Sequence, residues 1–108
     1  MKFLQDLYLS EQIAPKVDKI VKRIEAEKIV PNLYMIVMSS HPDNMLDLIP
    51  HWEILQKDYP KESLRVIGFA DGKKDAYGLV QSIVLESIEK EGQADVRPYL
   101  EKKWEGQL

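Results

Sequence analysis

Two short runs of apolar residues constrain most strongly what this chain can fold into. Residues 33–38 read LYMIVM between Pro-Asn and Ser-Ser, and residues 64–70 read LRVIGFA between Lys-Glu-Ser and Asp-Gly. Each run has the length of a strand and is apolar on both of its faces. Strands of this kind belong to sheets that helices cover on both sides, and such sheets are mostly parallel. The pattern therefore predicts an α/β domain.

The segment between the two strands favours a parallel pair. Residues 43–59 have about the length of a crossover helix, so residues 33–71 are predicted to form a right-handed βαβ unit. Pro50 must kink or split this helix, because proline inside a helix removes a hydrogen bond and clashes with the preceding turn. Residues 3–9 fit either a strand or a helical lead-in, and the strand is preferred. The sequence thus predicts a short parallel sheet of two or three strands.

Three other stretches have the spacing of amphipathic helices. The first begins near Pro15 and places its apolar residues on one face, namely Ile13, Val17, Ile20, Val21 and Ile24. The second runs through residues 76–88 and ends at Gly92. The third is short, with Asp95 as its N-cap and Pro98 in its first turn. Together these elements predict one small three-layer domain over residues 1–108, with a short C-terminal helix.

The charge of the chain argues against a nucleic-acid partner. The net charge is −3, whereas phosphate binding usually leaves a basic excess or a basic stripe. Five basic residues do fall within residues 16–28, but acidic residues interrupt them. That segment is therefore interpreted as a solvated helix face rather than a binding patch.

The absence of cysteine excludes disulfides, thiol catalysis and cysteine-bound metals, and it is compatible with a reducing compartment. The N-terminal residues lack the pattern of a signal peptide. The longest apolar runs fall far short of the ~20 residues that span a bilayer. We therefore expect a cytoplasmic protein with neither a membrane nor a nucleic acid as its partner.

The loops that follow the two strands form the predicted binding site. If the strands are parallel neighbours, residues 39–44 and 71–75 open on the same edge of the sheet, where α/β proteins bind ligands. Each loop would also lead into a helix N-terminus, which favours an anion. The residues predicted to bind such a ligand are Ser39, Ser40, His41, Asp71, Gly72, Lys73 and Lys74.

Helix capping explains part of the same pattern without any ligand. Ser40 and Asp43 have the spacing of a capping box, and Asp71 is a suitable N-cap for the next helix. His41 has no such structural role in the sequence. An imidazole can both donate and accept a hydrogen bond, which suits this residue to proton transfer or hydrogen bonding.

A metal site is a weaker hypothesis. Asp43, Asp47 and His51 lie four residues apart and would share one face of an unbroken helix, but Pro50 interrupts that helix. The chain contains no P-loop, no dinucleotide fingerprint, no H-E-x-x-H and no G-x-S-x-G motif. Neither a metal nor a cofactor is therefore predicted.

The leading functional expectation is a small binding or regulatory module that acts through protein–protein contacts as a homodimer or larger homo-oligomer. Two or three strands make a small sheet, and a second copy could extend it. The alternative is a small-anion or phosphate/nucleotide-binding protein that uses loops 39–44 and 71–75, with catalysis left open. No catalytic residue is predicted, and binding is preferred over catalysis.

Overall fold

Four strands and four helices make up the part of the chain that the computed structural model describes, residues 1–39, 41 and 45–106. The strands are β1 (Lys2–Leu9), β2 (Leu33–Met38), β3 (Leu46–Pro50) and β4 (Arg65–Asp71). The helices are α1 (Val17–Glu25), α2 (His51–Ile54), α3 (Lys73–Glu91) and α4 (Val96–Gly106). Short 3-10 turns, Ala14–Lys16 and Lys61–Ser63, precede α1 and β4. The α/β class, the strand preferred near residues 3–9 and the C-terminal helix are confirmed.

The four strands form one mixed sheet in the order β1-β4-β2-β3. β2 runs antiparallel to both β3 and β4, and Leu33 at the start of β2 pairs with Asp71 at the end of β4. The parallel pair is β1 with β4, in which Lys2 pairs with Arg65. The predicted parallel arrangement within residues 33–71 is therefore wrong, although the sheet does contain one parallel pair.

The reason lies in residues 43–59, which do not form a crossover helix. Leu48 packs on one core and Ile49 on the other, which is the alternation of a strand. Pro50 ends β3 at the edge of the sheet, where proline is tolerated because no ladder bond is lost. Because β3 has already reversed the chain, the connection through α2 brings β4 in antiparallel to β2.

The sheet separates two hydrophobic cores, as the apolar strands predict. Along β2, Met35 and Val37 belong to one core, whereas Ile36 and Met38 belong to the other. Helices α1 and α2 cover the first core with Ile20, Ile24 and Ile54. Helices α3 and α4 cover the second with Ile83, Val96 and Leu100. The three-layer arrangement is confirmed.

The ends of α3 and α4 follow the predicted capping pattern. α3 ends at Gly92, which has a φ of +72° and donates its N–H to the Ile88 carbonyl at 2.8 Å. Asp95 caps α4 by accepting the Arg97 N–H at 3.1 Å. None of the helices in the described ranges combines the length and the apolar content that crossing a membrane requires.

β1 and β4 approach each other closely at Gly68. A Cβ atom at this position would lie only 2.6 Å from the carbonyl oxygen of Tyr8. The register of the pair also shifts between Phe3 and Tyr8. Glycine is therefore required here if the two strands are to pair as they do.

Candidate functional site

The two loops predicted to form one site lie at opposite ends of the sheet. Because β2 and β4 are antiparallel, β2 ends at Met38, while Asp71 lies beside Leu33 at the start of β2. Five residues of strand separate these ends by roughly 17 Å. Ser39 and His41 therefore do not meet Asp71, Gly72, Lys73 and Lys74. Ser40 lies outside the described residues, and ligand binding by either loop stays a prediction.

The loop after β2 is attached to α4. Arg97 donates one guanidinium N–H to the Ser39 carbonyl at 2.7 Å and another to the His41 carbonyl at 3.2 Å. The buried Ser39 hydroxyl accepts the His41 N–H at 3.0 Å. The His41 side chain is exposed. Arg97 and Ser39 therefore support the backbone of this loop. The proposed capping box of Ser40 and Asp43 lies outside the described residues.

The loop after β4 leads directly into α3. Gly72, rather than Asp71, occupies the N-cap position, and its N–H donates to the Asn32 carbonyl at 2.7 Å. The Asp71 N–H donates to the carboxylate of Asp75 in the first turn of α3 at 2.8 Å. Lys73 and Lys74 are both exposed. Asp71 therefore does not cap α3 as predicted. Instead, the Asp75 carboxylate in the first turn of α3 accepts a hydrogen bond from the backbone at the end of β4.

The carboxyl ends that do meet are those of the parallel pair, β1 and β4. From β1 the chain passes to α1 on one face of the sheet, and from β4 it passes to α3 on the other. A sheet opens a crevice where neighbouring parallel strands send their connections to opposite faces. The sequence pattern located residues 71–75 correctly at such an edge but assigned them the wrong partner, because the parallel neighbour is β1 and not β2.

One cavity at this edge lies on the α1 side and is rich in basic residues; we call it the basic cavity. Its volume is about 210 Å³. Its wall consists of the apolar residues Ile13, Ile20, Val30, Pro31 and Leu33 and the charged residues Lys16, Lys19, Arg23 and Asp71. Three cationic residues and a single acidic residue therefore line this cavity together with apolar side chains.

The cationic residues of the basic cavity differ in the contacts that they make with the rest of the described chain. Lys16 and Lys19 are exposed and have no ion-pair partner within residues 1–39, 41 and 45–106. Arg23 is half-buried and donates to the Ile29 carbonyl at 2.9 Å. The two lysines are thus free to hold an anion, while Arg23 is already positioned.

A second cavity lies on the α3 side of the same edge; we call it the acidic cavity. Its volume is about 310 Å³, and its wall consists of Leu9, Ser10, Glu11, Gln12, Asp75, Gly78, Leu79 and Ser82. Ser10 is 7% exposed, and its hydroxyl has no hydrogen-bond partner in the part of the chain described. A buried polar group left unpaired costs about 1–3 kcal/mol. The Ser10 hydroxyl is one of two buried side-chain polar atoms without a partner in the described chain, and the other is Nε2 of His51.

Sequence reasoning also missed a polar cluster between β1, α3 and α4. The hydroxyls of Tyr8 and Tyr99 both donate to the same oxygen of Glu86, and Lys103 donates to the Tyr8 hydroxyl at 2.7 Å. Burial, reinforced by Glu86, raises the pKa of both tyrosines above its usual range. Burial opposes the charge of Glu86, but the two tyrosine hydrogen bonds and the Lys103 ammonium outweigh it and lower the pKa of this carboxyl. The cluster joins β1 to the distant helices α3 and α4, a long-range contact that no local pattern could have indicated.

His51 is fully buried at the start of α2. Its Nδ1 accepts the Val30 N–H at 3.1 Å, so the neutral ring carries its proton on Nε2. Burial lowers the pKa of this imidazole. Asp47 lies in β3, so the helical spacing behind the metal hypothesis does not apply, and Asp43 lies outside the described residues. No group of three or more potential metal ligands gathers among the residues described.

Comparison with known proteins adds no family assignment. No protein-family model, curated protein or solved structure matches this chain. The carboxyl edge of β1 and β4, with its two cavities, is therefore the basis for a functional proposal.

Proposed function

We propose that the protein binds a small organic anion in the basic cavity. The observation that carries this proposal is the convergence of Lys16, Lys19 and Arg23 around a cavity of about 210 Å³. The proposal takes up the predicted alternative of a small-anion or phosphate-binding protein. It moves the site from the two loops to the α1 side of the sheet edge.

The wall of the basic cavity indicates the chemistry of the ligand. The buried side chains of Ile13, Ile20 and Leu33 offer an apolar surface to the body of a ligand. A carboxylate or phosphate group would lie at the cationic rim, where charge-assisted hydrogen bonds are stronger than neutral ones. The cavity is smaller than the roughly 300–1,000 Å³ of drug-sized sites. The ligand therefore has a short chain or a single ring beside its anionic group.

The α1 helix supplies both the test variant and its control. Lys16→Gln combined with Lys19→Gln removes two rim charges that have no structural partner in the described chain. Lys22→Gln removes another exposed charge from α1, at a position that does not line the cavity. Thermal shift with phenyl phosphate, inorganic phosphate and benzyl alcohol separates the anionic group from the apolar body.

Phenyl phosphate should stabilise the parent protein most, by about 2.7 kcal/mol at 100 times its Kd. The Lys16→Gln, Lys19→Gln variant should lose most of this shift, and Lys22→Gln should keep it. Equal shifts with benzyl alcohol, or a full shift in the double variant, would contradict anion binding in this cavity.

We also propose, as a second candidate, that the protein associates with a second copy of itself through α3. Tyr77, Leu85 and Ile88 are exposed by 56%, 59% and 44% on the outer side of this helix. Two antiparallel α3 helices would bring the lysines at its start (Lys73 and Lys74) near the acidic residues at its end (Glu89 and Glu91). The predicted shortage of strands no longer supports a dimer, since the sheet has four.

Light scattering during size exclusion, at tens of micromolar protein, tests self-association. A dimer that Leu85→Lys converts to a monomer would support the α3 surface. A monomeric parent protein would contradict self-association. A dimer that persists in the variant with both Leu85→Lys and Ile88→Lys would contradict dimerisation through α3.

Two further expectations concern location and catalysis. A cytoplasmic location rests on the cysteine-free composition and stays a prediction. Binding without catalysis rests on the absence of known catalytic motifs in the sequence, and it too stays a prediction. Neither bears on the test of the basic cavity.

A further inference from the structure

Asp71 is the one acidic residue that the described chain places in the wall of the basic cavity. Its backbone N–H donates to the Asp75 carboxylate, and Gly72 rather than Asp71 occupies the N-cap position of α3. The Asp71 carboxylate itself has neither a hydrogen bond nor an ion pair in the part of the chain described. A few polar groups of this kind fix the orientation of a ligand in a cavity whose wall is otherwise apolar.

The register of the sheet shows that the Asp71 side chain stands on the face that carries the basic cavity. Asp71 pairs directly with Leu33, and directly paired residues of neighbouring antiparallel strands point to the same face. Leu33 belongs to the core that α1 covers, and so does Phe69, which lies two residues before Asp71 in β4. Asp71 is partly exposed, and its oxygens are not among the buried polar atoms that lack a partner in the described chain. A ligand in the cavity can therefore reach the carboxylate.

The cationic residues of the same wall lie along α1 and the turn before it, and they do not neutralise Asp71. Lys16, Lys19 and Arg23 are spaced three and four residues apart, which places them along one side of a helix. None of them forms an ion pair with Asp71 in the described chain. The cavity therefore offers positive and negative groups that remain separate from each other.

A carboxylate in this position opposes a ligand that carries only negative charge, because Coulomb repulsion offsets part of the attraction of the lysines. The same carboxylate attracts a ligand that has an ammonium group beside its anionic group, since ammonium offers three donors and no acceptor. Each charge-assisted hydrogen bond spans about 2.7–2.9 Å. A ligand with both charged groups on one carbon can therefore bridge side chains that do not touch each other.

We propose that the ligand of the basic cavity is a zwitterion with the chemistry of a small apolar α-amino acid. Its carboxylate contacts Lys16 and Lys19, its ammonium group donates to Asp71, and its side chain packs on the apolar part of the wall. This inference rests on the anion site proposed above and adds the selection of an ammonium group. Asp71 is thus the residue that determines specificity.

Three compounds with the same phenyl group separate the charged groups of such a ligand. Phenylalanine carries both groups, 3-phenylpropanoate lacks the ammonium group, and 2-phenylethylamine lacks the carboxylate. In calorimetric titrations near neutral pH, phenylalanine should bind the parent protein about tenfold more tightly than 3-phenylpropanoate does. 2-Phenylethylamine should bind most weakly, because three cationic residues repel it and one carboxylate attracts it.

Asp71→Asn tests the residue that selects the ammonium group. This variant should bind phenylalanine and 3-phenylpropanoate equally, since the substitution removes the attraction for the first and the repulsion of the second. Its continued binding of 3-phenylpropanoate shows that it is folded. Asp18→Asn makes the same chemical change at an exposed position of α1 outside the cavity wall, and it should keep the preference for phenylalanine.

The outcomes separate this inference from the anion site on which it rests. If the parent protein binds 3-phenylpropanoate as tightly as phenylalanine, the ammonium group is not selected, while the anion site stands. A preference for phenylalanine that persists in Asp71→Asn, or that is lost equally in Asp18→Asn, would also overturn the inference. If neither carboxylate binds the parent protein, or if both bind the Lys16→Gln, Lys19→Gln variant undiminished, the anion site itself fails and this inference fails with it.

Discussion

The basic and acidic cavities open at the same edge of one sheet, yet their walls carry opposite charge. Three cations and one carboxylate line the basic cavity, whereas two carboxylates and no cation among the described residues line the acidic cavity. The sheet itself contributes little to this difference. The cations come from α1 and the turn before it on one side, and the two carboxylates come from the segment after β1 and the first turn of α3 on the other. Asp71, at the end of β4, is the one charged residue that the sheet supplies to either cavity in the described chain.

The comparison separates what the fold provides from what the sequence provides. Any sheet whose parallel neighbours send their connections to opposite faces has a crevice at that edge. The crevice becomes selective through a few side chains on the elements that leave it. In this protein the helices on the two faces carry different residues, so the two halves of one crevice differ in charge.

The largest expected effect is a loss of folding stability at the edge formed by β1 and β4, where both cavities lie. Gly68→Ala places a Cβ atom against the Tyr8 carbonyl, so β1 must move away from β4. We expect the free energy of unfolding to fall by about 3 kcal/mol, since backbone cannot yield as a flexible side chain can. Urea denaturation measures the loss.

A matched control uses the same substitution where space is open. Gly78→Ala should raise the free energy of unfolding by about 0.5–1 kcal/mol, because alanine is the better helix former and meets no neighbour. If Gly68→Ala were as stable as the parent protein, the close approach of β1 and β4 would not be what holds this edge.

The next effect reverses the charge of one cavity only. Lys16→Glu with Lys19→Glu turns the rim of the basic cavity from cationic to acidic. Phenyl phosphate should then bind about thirtyfold more weakly, a loss of about 2 kcal/mol, while Lys22→Glu, which leaves the cavity wall unchanged, should bind it as the parent protein does. Calorimetric titration of the three proteins measures the contrast. An equal loss in Lys22→Glu would show that the anion does not bind in the basic cavity.

The smallest effect concerns pH and affects only the basic side, where Val30 belongs to the wall and is bonded to His51. Because burial lowers the pKa of His51 from its usual value of 6.5, the unfolded chain takes up this proton at a higher pH than the folded chain does. The contribution of His51 is therefore complete above about pH 6.5 and is lost as the pH falls towards the lowered pKa.

Unfolding in urea at about pH 7.5 and about pH 5.5 measures this loss. His51→Gln should flatten the pH dependence of stability. If the parent protein and His51→Gln lost stability equally between these two pH values, protonation of His51 would not be the cause.

Local patterns predicted the elements of this fold better than their arrangement. The apolar run of β2 and the caps at Gly92 and Asp95 depend on residues that are close in sequence, so the sequence alone was enough to assign them. The direction of β4 relative to β2 could not be read in this way, because a strand that is apolar on both faces looks the same in either direction.

The predicted position of the binding site depended on the direction of β4 relative to β2, which the sequence did not determine. With β2 and β4 taken as parallel, His41 and Asp71 appeared to share an edge, whereas the antiparallel pairing separates them. The lysines of the basic cavity were visible as a basic segment but could not be distinguished from a solvated face. Lys16 and Lys19 line the cavity and Lys22 does not, because of the way α1 lies against the sheet.

The pairing of β1 has a consequence for how the chain acquires its structure. Among the described strands β1 pairs only with β4, and Lys2 lies opposite Arg65. While the polypeptide is being synthesised, β1 must remain without a strand partner until the distant β4 segment has left the ribosome. Contacts across such a long interval of sequence form slowly, since the loop between them must close first. The edge that carries both cavities is thus expected to be among the late parts of the protein to form.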